Sequence, residues 1–292
     1  MPAMAAPLVF DRSLLRTRLA RARREGYADF LLRRVLEDAS ERLGVVLRPF
    51  PRALDLGTPT EAAVRWLRDR AEAEIVVRLA PMVETGPLSV LGDEEALPFA
   101  PQSFDLALSL LALQSVNDLP GALVQIRRVL KPDGLFLGCL FGGGTLAELR
   151  QAFPQAESEV EGGASPRVFP FAELRDLGGL LQRAGFALPV ADLETITVRY
   201  PDLFALMRDL RAMGLTNVLK DRRKTPLRRQ TLFRAAVLYA ERFSDPDGRI
   251  RATFELCWLS GWAPHESQQK PLPRGSAKVP LAEALRPKEG SR

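Results

Sequence analysis

Short apolar runs alternate with amphipathic stretches along the first half of the chain. Ala53-Leu54-Asp55-Leu56, Glu74 to Leu79, Leu88 to Leu91, Phe104 to Leu111 and Leu135 to Phe141 have the length and composition of buried strands. Between them the apolar positions shift to a helical period. Residues from Thr58 onward read as one helix. Asp118 then caps another whose Leu119, Leu123, Ile126 and Leu130 share a face. Strand alternating with helix across short loops predicts a parallel sheet covered on both faces. Lys131-Pro132-Asp133-Gly134 reads as the turn before the fifth strand.

The second half keeps two more strands. A short helix near Thr145 to Phe153 is followed by a loop-rich stretch to Pro170, then a helix marked by Leu174, Leu177, Leu181 and Ala184 and stopped by Gly185. Phe186 to Tyr200 supplies the sixth strand and Ala252 to Gly261 the last, with two helices between Asp202 and Phe243, the second starting at Thr225-Pro226. The expected fold is therefore α/β: a doubly wound, mostly parallel, seven-stranded Rossmann-like sheet with a helical insertion at 201–243 before its last strand. N-terminal helices fill 1–45, the sheet domain 46–266, and a polar, proline-rich tail 267–292. The first helical segment, Asp11 to Arg24, is basic with a thin Leu15/Leu19 stripe. It reads as a solvated helix packed by one edge, or as a helix for an acidic partner or membrane surface.

Composition narrows the chemistry. At 46% apolar and 26% charged residues the chain is an ordinary folded protein. No apolar run approaches the roughly 20 residues of a membrane span, and the N-terminus lacks a signal peptide's pattern. A cytoplasmic protein is expected, with peripheral contact to the inner membrane the membrane option. A single histidine, His265, rules out a multi-histidine metal site within one chain, so no metal is expected. Cys139 and Cys257 fall in strands and read as reduced core residues. The formal charge of +5 favours an acidic partner only weakly and gives no basis for nucleic-acid binding.

Candidate site residues cluster at strand ends. Asp55 and Gly57 stand where a doubly wound fold turns from its first strand into a helix, the place such folds bind a cofactor. Thr58, Pro59 and Glu61 read there as a capping box, with Glu61 adding negative charge where an anionic ligand would sit. Second strands of such folds end in an acid that grips ribose hydroxyls. Here that place holds Arg78, Leu79, Ala80 and Pro81, and Glu84 lies too far along. Gln114 and Asn117 follow the fourth strand, on the ligand side of the sheet. Gly142-Gly143-Gly144 reads as a flexible elbow. Arg222 and Arg223 belong to the most basic run, a solvated loop or a surface for an acidic protein face. Trp262 and His265 pack the last strand's exit or contact a substrate.

The Asp55-Leu56-Gly57 turn, the Gly92 to Phe99 segment and the Leu130-Lys131-Pro132-Asp133-Gly134 turn resemble those of class I S-adenosylmethionine-dependent methyltransferases. A longer resemblance, from about Phe10 to Leu285, is to the complex I assembly factor 5 family. It is carried by Phe10-Asp11-Arg12, Val116-Asn117-Asp118-Leu119-Pro120, Glu161-Gly162-Gly163, Asp209 to Gly214, and Gly261-Trp262 with His265-Glu266-Ser267-Gln268.

The resemblance implies a methyltransferase-like fold and a protein partner, a complex I subunit, which that family hydroxylates on an arginine. S-adenosyl-L-methionine is the implied cofactor, with Asp93 and Glu94 on its adenosyl side and Asp55 with Gly57 at its methionine end. Three departures imply that its binding is weakened or lost. Thr58-Pro59-Thr60-Glu61 replaces the glycine-rich loop, the acid after the second strand is gone, and Gln114-Ser115 stands where the family has a His-Trp pair. No catalytic residue is assigned. An assembly factor, an active methyltransferase and a non-catalytic binding module all remain open.

Overall fold

The computed structural model describes residues 8–82 and 88–269. Glu84 and the tail beyond 269 lie outside them. Two helices, α1 (Arg12–Glu25) and α2 (Phe30–Gly44), precede the sheet. Then follow β1 (Arg52–Leu56), α3 (Ala62–Asp69), β2 (Ile75–Ala80), β3 (Ser89–Leu91), β4 (Phe104–Leu110), α4 (Leu119–Val129) and β5 (Leu130–Phe141). The second half carries α5 (Ala147–Glu161), α6 (Leu174–Arg183), β6 (Ala187–Tyr200), α7 (Leu203–Ala212), α8 (Arg229–Phe243) and β7 (Ile250–Trp262).

The seven strands lie in the order β3-β2-β1-β4-β5-β7-β6. The first five run parallel, while β7 is antiparallel to both β5 and β6. The chain leaves β1 for β2 on one side and, after β3, crosses back to β4 on the other, so the crevice beyond the carboxyl ends of β1 and β4 is the topological switch point where such sheets bind ligands. Two-residue alternation sorts each strand between the faces. Leu106, Leu108 and Leu110 of β4 join α2, α3, α5, α7 and α8 in one core, while Ala107 packs with α4 and α6 in the other.

Four local expectations change. The stretch from Pro154 to Glu161 is not loop but the continuation of α5, a 15-residue helix that carries Pro154 in its interior, while the chain from Gly162 to Pro170 is loop as expected. The Lys131–Gly134 turn is a bulged start of β5, where the β4–β5 register shifts between Phe104 and Leu106. The triple glycine is no free elbow, because Gly142 N–H donates to Glu255 O at 2.9 Å and Gly144 N–H to the Glu255 carboxylate at 2.6 Å. The last helix starts at Arg229 and not at Thr225-Pro226. Cys139 and Cys257 are buried free thiols, and burial pushes Cys257 up to about 12.

Helix α2 is tied to the β6–β7 end of the sheet. Arg42 pairs with Asp192 and stacks over Trp258 at 4.4 Å, and Arg34 bridges Asp38 at 3.2 Å and Glu194 at 2.8 Å. Burial, then the neighbouring Glu194, raises Asp38 to about 6. A carboxyl whose folded pKa exceeds its unfolded value costs stability that builds as pH rises from the unfolded value of 3.8 to about 6 and is constant above it. Asp38→Asn is therefore expected to raise the melting temperature at pH 8, to raise it less at pH 5, and to leave it nearly unchanged at pH 3, below the ordinary value of 3.8. A gain of equal size at pH 8 and pH 3 would contradict that account.

Candidate functional site

Strand register builds the floor of the crevice. Asp55 of β1 is the direct partner of Arg78 of β2, and both lie deep in the sheet. An arginine in an otherwise apolar strand needs an anion, and Asp55 is the acid the register delivers. The Arg78 guanidinium pairs with the Asp55 carboxylate and also donates to Thr58 O at 2.8 Å. The acid at the end of the first strand is thus bound from below by the residue standing where a ribose-gripping acid is expected.

The loop that follows turns its carbonyls, not its N–H groups, to the surrounding cations. Gly57 takes a left-handed φ of +72° and its N–H is used by Leu79 O at 3.0 Å. The Glu94 carboxylate fills the space a side chain on Gly57 would need. Thr58 is fully buried, its hydroxyl accepting from Leu110 N–H at 3.4 Å. Pro59 has no N–H to offer, and its carbonyl accepts from Arg23 of α1.

The expected capping box does not form. Helix α3 begins four residues after Thr58, with Glu61 in the cap position and no side-chain cap bond. Thr58 is instead drawn inward by β4, and Thr60 Oγ1 accepts from Ala62 N–H at 3.3 Å. Glu61 is exposed and does not plug the crevice. Glu61→Ala is accordingly expected to change the unfolding free energy by no more than about 0.5 kcal/mol and to leave ligand affinity unchanged. A gain in adenosyl-ligand affinity would restore Glu61 as a plug.

What closes the crevice is α1. Asp11 caps it, accepting from Leu14 N–H at 3.0 Å, and the chain just before it is pinned on both sides. Asp11 N–H donates to Val218 O at 2.8 Å, while Asn117 Oδ1 accepts from Phe10 N–H at 2.8 Å. One face of the helix then turns arginines into the crevice. Arg12, its side chain 13% exposed, pairs with Glu94 and with Asp93 at 3.2 Å, and donates to Ser115 O at 3.2 Å. Arg16 takes the other Asp93 oxygen at 2.6 Å. Burial pushes Asp93 up, but the Glu95 N–H and the two arginines outweigh it and hold the carboxyl below its ordinary range. At Glu94 burial wins over Arg12 and the carboxyl is raised. The space left over Gly57, between Leu15, Leu19, Tyr27, Pro59 and Gln114, is about 40 Å³, room for a water or two against the roughly 300–1,000 Å³ of small-molecule sites.

Asp55, Gly57, Asp93, Glu94 and Gln114 therefore do converge. Gln114 lines the crevice in a 3₁₀ turn, Leu113–Ser115, and donates to Leu111 O at 2.8 Å. The other candidates are not brought to it as ligand groups. Asn117 is spent on the Phe10 backbone and Arg222 on Asp11 at 3.2 Å, while Arg223 pairs with Glu161. Trp262 pairs with Leu135 at the opposite end of β5 from the crevice, under Arg48 at 5.5 Å. His265 lies just beyond it, exposed and against Ser267 Oγ at 2.7 Å. Sequence reasoning missed Arg12, Arg16, Arg23 and Arg78. Two signals were present: an arginine inside the apolar run Ile75 to Ala80, and a basic helix whose stripe was too thin for ordinary packing.

The comparisons agree with this architecture. A methyltransferase domain family matches residues 54–138. The YcgJ protein from Bacillus subtilis shares the fold, with a TM-score of 0.53 at 14% identity over 79% of this chain and 98% of that one. A malonyl-[acyl-carrier protein] O-methyltransferase from Xylella fastidiosa is 35% identical over 88% of this chain and 89% of its own length. The human mitochondrial arginine-hydroxylase NDUFAF5 is 42% identical over 286 residues, 94% of this chain and 83% of that protein. An identity of that size across nearly the full sheet and its insertion decides the matter: this chain belongs to the NDUFAF5 family, the complex I assembly factor 5 family of methyltransferase-fold proteins.

Proposed function

We propose that this protein serves the assembly of respiratory complex I by binding one of its subunits, with the S-adenosylmethionine place of the fold closed and its cofactor affinity weakened or lost. Membership in the NDUFAF5 family supports the assembly role. The observation that carries the rest is the paired charge over Gly57, where Asp55, Asp93 and Glu94 are engaged by Arg78, Arg12 and Arg16. The residues present do not fit the cofactor as they stand. A bound nucleoside would need Arg12 displaced from two acids, and its methionine carboxylate would meet carbonyls of Thr58 and Pro59 in place of N–H groups. Binding surfaces outside the crevice are then left to do the recognising.

Deleting the gene is expected to lower the amount of assembled complex I, and a Gly57→Glu variant that stays folded is expected to restore it in full. Unchanged complex in the deletion would remove the assembly role. Mass spectrometry of arginines in the subunit that co-purifies with the protein tests the binding-only part: an added oxygen that depends on the protein would overturn it.

A further inference from the structure

A second cavity, about 600 Å³, lies beside the closed crevice and shares Phe141 and Leu215 with it as a common wall. It sits where β5 and β7 meet the helical insertion. Phe141 and Phe254 come from the sheet, Leu149 and Phe153 from α5, Met207 and Leu210 from α7. Its size is that of a small-molecule site, and its wall is predominantly apolar. The charged groups on it are of one sign. Arg18, Arg167 and Arg211 line it and no aspartate or glutamate does.

The three arginines differ in what they already hold. Arg167 is paired with Glu157 and lies over Phe153 at 5.8 Å. Arg18 and Arg211 make no salt bridge among the described residues, Arg18 donating only to the Asn217 carbonyl. Burial first, and then the Arg222, Arg21 and Arg211 charges, hold the Arg18 guanidinium below its ordinary range. Asp11, the nearby acid, is taken up by Arg222 at 3.2 Å. The Thr216 hydroxyl, also on the wall, is buried without a hydrogen-bond partner. Arg18 and the exposed Arg211 repel each other, and Arg18 reaches the carbonyl of Asn217, the neighbour of Thr216. Like charges and an unsatisfied hydroxyl on the wall of an apolar chamber leave a place for an anionic head and an alkyl body.

We propose that this cavity binds a single-chain aliphatic carboxylate, its alkyl body among Phe153, Met207, Leu210 and Phe254 and its carboxylate against Arg18, Arg211 and Thr216. A guanidinium or ammonium head would be repelled by the same two arginines. The site does not depend on the complex I role, since it is read from this chamber alone.

Titration calorimetry of the full chain with decanoate tests it. Decanoate is expected to bind one per chain with a Kd on the order of tens of micromolar, and decyltrimethylammonium and butyrate at least tenfold more weakly. Arg18→Gln with Arg211→Gln should weaken decanoate roughly tenfold while leaving decanol unchanged. Met207→Trp, which fills the chamber, should abolish both with the melting temperature preserved. Decanol binding as tightly as decanoate, equal binding of the cation, or decanoate heat that survives Met207→Trp would overturn the proposal. So would capture of anionic vesicles or of an acidic peptide that decanoate does not displace, since the occupant would then be a bilayer or a protein segment. Complex I levels play no part in these outcomes, so either reading can fail alone.

Discussion

Arg78→Met is expected to unfold the protein more readily than any other single change in the crevice, by about 3–5 kcal/mol. The reason is the position of its partner. Asp55 is fully buried between β2 and β4, and losing Arg78 strips a buried carboxylate of the cation that register placed beside it. Removing one member of a buried pair costs far more than the pair is worth, because the remaining charge keeps its desolvation penalty. Asp55→Asn combined with Arg78→Met should therefore recover most of the loss. Denaturant unfolding of both singles and the double closes the cycle. If the double were as unstable as the sum of the singles, the two side chains would act independently and the closure of the crevice floor would need another explanation.

The second large effect belongs to α1. Arg12→Ala removes contacts to Asp93, Glu94 and the Ser115 carbonyl at once and leaves Glu94, 3% exposed, without that guanidinium. Helix α1 is then expected to detach locally, with the sheet intact. Native-state hydrogen exchange of its amides should accelerate by roughly 30- to 1,000-fold, equivalent to about 2–4 kcal/mol, while exchange in β4 and β5 changes little. Adding Glu94→Gln should return part of that protection, because an amide leaves no buried charge behind. Uniform acceleration across the sheet would mean that α1 is part of the global folding unit and no separate cover over the crevice.

The arrangement also explains which features could be read from the chain. Apolar runs at Ala53 to Leu56 and Phe104 to Leu111 specified parallel strands, since only strands buried on both faces are so uniformly apolar, and the seven-stranded sheet with its insertion follows from them. Convergence of Asp55, Gly57, Asp93 and Glu94 was legible for the same reason: each sits at or just past the carboxyl end of its strand. The identity of the plug was not. Thr58-Pro59-Thr60-Glu61 has the local chemistry of a capped helix start, but Thr58 is more useful to the fold as a buried acceptor for Leu110 N–H, and the helix begins later. Long-range pairing defeated the local signal. Arg12 meets Glu94 across 82 residues, a contact no spacing rule reveals. The same holds for Asn117, read as facing the ligand side, and Arg222, read in a basic surface loop; the fold spends both on pinning the start of α1.

The cover and the floor make a single statement about ligand binding, and titrating the purified full chain with S-adenosylmethionine addresses it most directly. With Arg12, Arg16 and Arg78 holding the three acids, no heat of binding is expected up to millimolar cofactor, and the melting temperature should not rise in its presence. Saturable micromolar binding that Asp93→Ala abolishes would show the crevice open to an adenosyl group and contradict the account.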